Sequence, residues 1–298
     1  MLDYKLLAAL AAVIEQGGFE RAAQVLGLSQ SAVSQRVKLL EARVGAPVLI
    51  RLNPPQATEV GQRLLNHVQQ VRLLERDLRE AVPMAGEDDL PPRLRIALNA
   101  DSLATWWAEA VAELSIREAL QFELVVDDQD VGLRRMRAGE VAGCVCASAQ
   151  PVAGARVLVL GNMRYLAVAS PEFIARYFAD GVSQTALRRA PAIVFGPDDQ
   201  LQHRFLSGLG YGGEFRYHLC PSSEGFVRLL SAGMGWGMVP ALQIPAELAS
   251  GALRELVPGA VVDVPLYWHY WRHGGRLLDT LTAELAQRAS ALLVAGQG

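Results

Sequence analysis

The sequence predicts an α/β protein: an N-terminal all-α winged helix-turn-helix, one linker helix, and a C-terminal part of two α/β lobes. Three observations carry this. Glycine-punctuated helical stripes fill residues 1–58, a narrow apolar seam follows over 59–82, and short apolar strands alternate with helices over 93–298. A length of 298 residues agrees with about two domains. Hydrophobic residues are 51% and charged ones 20%, enough apolar material for substantial cores. The formal net charge is −3, but it is uneven: residues 1–82 carry +2 and Phe19–Arg51 carries +3. The basic patch is modest and sits on an otherwise acidic chain.

In the first segment, Leu6, Leu10, Val13 and Ile14 recur at helical spacing and stop at Gly17-Gly18. Phe19, Ala22, Ala23 and Leu26 make a second short helix, whose alanines admit a close neighbour. Ser29 stands at the N-cap of a third helix with Val33, Val37, Leu40 and Val44 as its buried stripe. The opposite face presents Ser31, Gln35 and Lys38, flanked by Ser34 and Arg36, with Gln30 in the first turn. Hydroxyls and amides can read base edges while cations neutralise phosphate, so this helix is suited to the DNA major groove. Val48-Leu49-Ile50 is strand-like, and Arg51 with Pro54-Pro55 forms a small wing. The candidate DNA-binding residues are Ser29, Gln30, Ser31, Ser34, Gln35, Arg36, Lys38 and Arg51.

Thr58 can cap the linker helix. Val60, Leu64, Val68, Val71, Leu74 and Leu78 follow at spacings of three and four, a coiled-coil seam for dimerisation. The 24 residues would span about 36 Å. Residues 83–92, acidic and closing on Pro91-Pro92, are read as a hinge.

The run Gly17-Gly18-Phe19-Glu20-Arg21-Ala22-Ala23, then Leu28-Ser29-Gln30-Ser31-Ala32-Val33-Ser34-Gln35-Arg36-Val37, Leu40-Glu41 and Val44-Gly45 resembles the N-terminal domain of LysR-type transcriptional regulators. Glu20 and Ile50 are mild departures from the family pattern. The C-terminal part resembles the family's effector domain, which is periplasmic-binding-protein-like. The chain is further similar to the basic-amino-acid-responsive branch, on Asn99-Ala100-Asp101-Ser102, Thr105-Trp106, Asp128, Arg137, Gly139-Glu140-Val141, Phe195-Gly196-Pro197, Ser222-Ser223-Glu224-Gly225-Phe226 and Tyr267-Trp268. The resemblance implies a regulator that senses lysine or arginine and controls genes such as a basic-amino-acid exporter. It implies double-stranded DNA and RNA polymerase as partners, in a homodimer or homotetramer. An origin-binding or nucleoid role, with ligand-tuned occupancy, is the alternative.

In the C-terminal part, strands are expected at Leu94–Leu98, Phe122–Val126, Val141–Ala147, Leu158–Leu160, Leu166–Ala169, Ala192–Phe195, Trp236–Val239 and Leu266–Trp271. Lobe one is placed at about 93–161 and 268–298, lobe two at about 162–267. Ligands of such sheets bind beyond the carboxyl ends of strands. A dibasic amino acid needs carboxylates for its ammonium and side-chain cation, and hydroxyls or N–H groups for its carboxylate. The candidates are Asp101, Ser102, Trp106 (as cover for the aliphatic stem), Asp127, Asp128, Ser148, Asp198, Ser223 and Glu224. Asp199 is expected at the surface, and Arg164 is a further candidate for the carboxylate.

Other chemistry has little support. Gly208-Leu209-Gly210-Tyr211-Gly212-Gly213 fits a dinucleotide motif by letters but lacks its strand, so it is read as a loop. His269 and His273 lack a third metal ligand and are read as structural. No metal, cofactor or catalytic constellation is expected. Cys144, Cys146 and Cys220 are read as buried reduced thiols. Met1–Ile14 has no basic n-region, and the longest uncharged stretch, Leu229–Ala246, is interrupted by glycine and proline. The expected location is therefore the cytoplasm, with no membrane contact.

Overall fold

A computed structural model describes residues 2–81, 93–126, 131–137 and 140–295. The hinge expected at 83–92 and the candidates Asp127 and Asp128 lie outside the described residues.

The N-terminal domain is built on α1 (Tyr4–Glu15), α2 (Phe19–Val25) and α3 (Gln30–Val44). Leu7, Leu10, Val13, Ala22, Val33, Val37 and Leu40 share its core. Ser29 caps α3, its Oγ accepting the Ala32 N–H at 3.2 Å. The wing is a two-stranded hairpin, β1 (Leu49–Ile50) and β2 (Gln56–Ala57), antiparallel with Leu49 opposite Ala57.

The linker helix α4 (Glu59–Ala81) starts where Thr58 Oγ1 accepts the Gly61 N–H at 3.0 Å. A Cβ at position 61 would come within 2.0 Å of the Val48 carbonyl oxygen, so only glycine lets the helix approach the wing this closely. Arg72 pairs with Glu15 at 2.7 Å, and Tyr4 Oη lies 3.1 Å from the His67 ring, which fastens α4 to α1. The expected seam divides in two. Val60, Leu64 and Val68 pack on the core of their own reader domain, whereas Leu74 and Leu78 remain 47% and 56% exposed and Val71 is half-buried.

The C-terminal part begins with β3 (Arg93–Leu98). A continuous helical run follows: α5 (Ala100–Ser102), a π-helical turn (Leu103–Trp107) and α6 (Ala108–Arg117). Next come β4 (Gln121–Val126), α7 (Val131–Arg137), β5 (Gly143–Cys146) and the long β6 (Ala155–Ala169). The second lobe adds α8 (Pro171–Tyr177), α9 (Gln184–Arg189), β7 (Ala192–Val194), α10 (Leu201–Gly208), β8 (Tyr217–Leu219) and α11 (Ser223–Ser231). It continues through β9 (Gly237–Pro240), α12 (Pro245–Ser250) and β10 (Arg254–Glu255). Finally β11 (Val261–Trp271) returns to the first lobe, and α13 (Gly275–Leu292) packs on it.

The main sheet runs β10-β6-β11-β5-β3-β4, with β9 also on β6. β3 is parallel to β4 and β5, while β6 and β11 are antiparallel and pass from one lobe to the other. Their register slips between Leu266 and Tyr267, opposite Leu160. The two strands expected at 158–160 and 166–169 are therefore one. Gly161 does not break it but carries it through at φ +132, a conformation that favours glycine. The core joins Trp106, Trp107, Trp236 and Trp268, all fully enclosed, to leucines of α13.

Candidate functional site

Two sites emerge. The first is the outer surface of α3 and the wing. Gln30, Ser31, Gln35 and Lys38 are exposed there, Ser34 and Arg36 are half-buried, and Arg51 is exposed beyond β1. The buried stripe Val33, Val37 and Leu40 fixes that face outward. Ser29 is occupied locally, since its hydroxyl caps the helix and lies 3.0 Å from Ser31 Oγ. Ser31, Gln35 and Lys38 lie together on the exposed face of α3.

The second is a narrow, partly open cleft between the lobes, about 270 Å³ of empty space when the part open to solvent is counted and about 20 Å³ of cavity proper. Asp101, Ser223 and Gln243 supply its polar lining, and Phe195, Leu201, Phe226, Met238, Val239 and Pro240 its apolar walls. Asp101 arrives from the carboxyl end of β3. Its Oδ2 accepts from Tyr165 Oη at 2.7 Å and its Oδ1 from Ser223 Oγ at 2.7 Å. Ser223, at the start of α11, also lies 3.1 Å from Gln243 Oε1, and Gln243 Nε2 donates to the Ser223 carbonyl at 3.1 Å. Ser222 caps that helix through the Gly225 N–H. One carboxylate of the first lobe is thus bonded to a hydroxyl of the second.

Burial pushes the Asp101 carboxyl up. The Tyr165 and Ser223 hydroxyls pull it back only in part, and the charge of Asp199 raises it further. The same burial, with Asp101 beside it, lifts the Tyr165 phenol well above its ordinary range. A carboxylate with two hydroxyl donors keeps acceptor capacity for a cation. No Lys, Arg or His lines this cavity among the described residues.

The remaining candidates separate. Ser102 is fully enclosed beside Asp101, and its hydroxyl is without a hydrogen-bond partner. Trp106 is core and not a cover for a ligand stem, because the helical run turns it into the packed interior. Ser148 lies after β5, where its carbonyl is 2.7 Å from the His269 ring nitrogen and its hydroxyl accepts from Gln150. Asp198 and Asp199 exchange the places expected for them. Asp198 is exposed, whereas Asp199 accepts the N–H groups of Phe195 at 3.1 Å and Leu201 at 2.9 Å and so is drawn inward. Glu224 is exposed in the first turn of α11, outside the cavity lining. Arg164 is committed to a two-pronged pair with Asp263 across β6 and β11, at 2.9 and 2.8 Å, and has no free fork for a carboxylate.

Tyr165, Gln243 and the apolar walls are site residues that sequence reasoning missed. Tyr165 lies inside an unremarkable strand. Phe195 and Phe226 stood in the family-like runs, but apolar side chains there read as core. His269 is buried and sits with Cys146 against the Ser148 carbonyl, which agrees with its structural reading. Cys144 and Cys146 are buried and outside any disulfide, whereas Cys220 is only half-buried. The glycine-rich stretch after α10 is a loop.

A winged helix-turn-helix joined by a helix to a two-lobed domain with a cleft between its lobes defines a class: DNA-binding regulators with an effector domain. Residues 4–62 match the family described as bacterial regulatory helix-turn-helix protein, lysR family, and residues 87–290 match the LysR substrate binding domain. The chain belongs to the LysR family and is a DNA-binding transcriptional regulator, not an enzyme. It is 66% identical over 294 residues, 99% of either chain, to the HTH-type transcriptional regulator ArgP of Pseudomonas fluorescens strain Pf0-1. The crystal structure of ArgP from Mycobacterium tuberculosis is similar at TM-score 0.83 and 36% identity, covering 100% of both chains. Full-length LysG from Corynebacterium glutamicum with bound effector Arg is similar at TM-score 0.72 and 34% identity, covering 98% of this chain and 100% of that one. Among the described residues no helix is long and apolar enough to cross a membrane.

Proposed function

We propose that this regulator senses a basic amino acid, arginine or lysine, in the interlobe cavity and passes its occupancy to paired DNA-reading heads in the cytoplasm. The observation that carries the reading is Asp101: a half-buried carboxylate beside apolar walls, bonded across the lobes to Ser223, in a lining without Lys, Arg or His. An effector cation would complete that site. The likeness to LysG with bound Arg supports the same assignment. Apolar walls suit an aliphatic stem, and a side-chain cation held at Asp101 would disfavour neutral and acidic amino acids, whose side chains bring none.

Occupancy biases the protein only through its different affinity for two lobe arrangements. Two α4 helices pair through Val71, Leu74 and Leu78, with Val60, Leu64 and Val68 supporting each reader from within. The dimer, or a tetramer of two dimers, places two α3 helices in successive major grooves of double-stranded DNA. The controlled genes include a basic-amino-acid exporter, and control operates through RNA polymerase.

The test is thermal unfolding of the full-length protein against a panel of the twenty amino acids. Arginine and lysine raise the midpoint, because a ligand at a hundred times its Kd stabilises by about 2.7 kcal/mol. A panel in which neither shifts the midpoint contradicts the reading.

A further inference from the structure

The crossover between the lobes is held from a direction that the effector cavity does not explain. At Gly161 and Asn162, just past the register slip of β6, the strand is paired on one side with β11. On the other side it meets the chain's own C-terminal segment. Asn162 donates its N–H to the Val294 carbonyl at 2.8 Å, and Val294 donates its N–H to the Asn162 carbonyl at 3.0 Å, an antiparallel bridge from β6 to the residues just past α13. Leu293 is buried in the main core beside it. A Cβ at position 161 would come within 2.9 Å of Leu293 Cβ and 3.0 Å of the Val294 carbonyl oxygen, so the glycine there is also what lets the segment close on the strand.

This segment is the direct continuation of α13. That helix is tied to α6 by the Arg117–Glu284 pair at 3.2 Å and by an Arg288–Glu109 pair, and it packs against the linker helix α4. A slip in a strand pair is a place where a sheet bends, and interlobe hinges concentrate their change in a few such residues. An 18-residue helix cannot absorb that change along its length, so it must follow the strand or release it.

We propose that Leu293 and Val294 form a C-terminal strap that grips the interlobe crossover of β6 and, through α13, couples lobe movement to the helix carrying the DNA reader. The strap needs no contact with the effector. It rests on the sensing reading only in taking lobe movement as the signal.

The test uses the full-length protein with L-arginine as probe and a DNA fragment that the wild-type protein protects in footprinting. Val294→Pro removes the N–H donated to Asn162, and Val294→Ile retains it. Calorimetry reads arginine affinity, and anisotropy reads DNA affinity with and without arginine. Val294→Pro is expected to bind arginine within about threefold of wild type. It should lose most of the factor by which arginine changes DNA affinity, a factor of about 5 to 150 in coupled systems, whereas Val294→Ile keeps it. A Val294→Pro protein with undiminished coupling overturns the strap. So does one in which arginine and DNA affinity fall together, because the segment then only supports the fold. If wild type binds no arginine, the sensing reading fails separately, and hydrogen exchange of the ligand-free proteins decides the strap. Faster exchange in α4 on breaking the bridge supports it, and unchanged exchange overturns it.

Discussion

Asp101 is a half-buried acid whose two carboxylate oxygens accept from the Tyr165 and Ser223 hydroxyls. Its carboxyl is raised by burial, so the folded protein holds that proton more tightly than the unfolded chain does. Its contribution to stability is complete below the ordinary carboxylate pKa and is lost as pH rises through the raised value. Asp101→Asn is therefore expected to raise the ligand-free unfolding midpoint at pH 7 and to lose that advantage in acid. It should also weaken arginine binding by at least about thirtyfold, since truncating one partner of a buried charge pair costs about 2–5 kcal/mol. Unfolding curves at the two pH values, with calorimetry at neutral pH, check both halves. The place of Asp101 in the cleft lining was legible in the sequence because an acid three residues past an apolar strand falls at the sheet's carboxyl edge. The exchange of Asp198 and Asp199 was not, because adjacent acids in a loop differ only in which one meets the N–H groups of Phe195 and Leu201.

At the scale of elements, α3 is specified twice over, by its buried stripe and by its Ser29 cap. Its outward face follows from helical periodicity alone, which is why the reader domain could be read from residues 1–58. Lys38→Ala should weaken DNA binding across sequences and reduce the salt slope by about one, while Gln35→Ala should relax site preference. Binding to specific and random DNA over a salt series separates the two effects. The linker was harder to read. Spacing gave one seam from Val60 to Leu78, but periodicity cannot tell an intramolecular partner from a second chain. The cores of α1 and α3 take Val60, Leu64 and Val68, leaving Leu74 and Leu78 exposed. Leu74→Asp with Leu78→Asp is expected to yield monomers with folded reader domains, measured by light scattering and circular dichroism. A dimer of unchanged mass would remove α4 from the interface.

At the scale of the whole molecule, β6 and β11 run from one lobe into the other, and the Asn162–Val294 bridge meets β6 where it crosses. The alternation of strands and helices revealed the lobes. The crossover strand did not show itself, because Gly161 reads as a break unless its positive φ and its C-terminal neighbour are known. Long-range pairings such as Asp101 with Ser223, 122 positions apart, leave no periodic trace. The account therefore depends on the cavity that those distant residues enclose. A crystal structure of the full-length protein grown with L-arginine tests it most directly. The predicted result is arginine between the lobes with a nitrogen within hydrogen-bond distance of an Asp101 oxygen. Arginine bound only elsewhere, or an empty cavity at a saturating concentration, would contradict it.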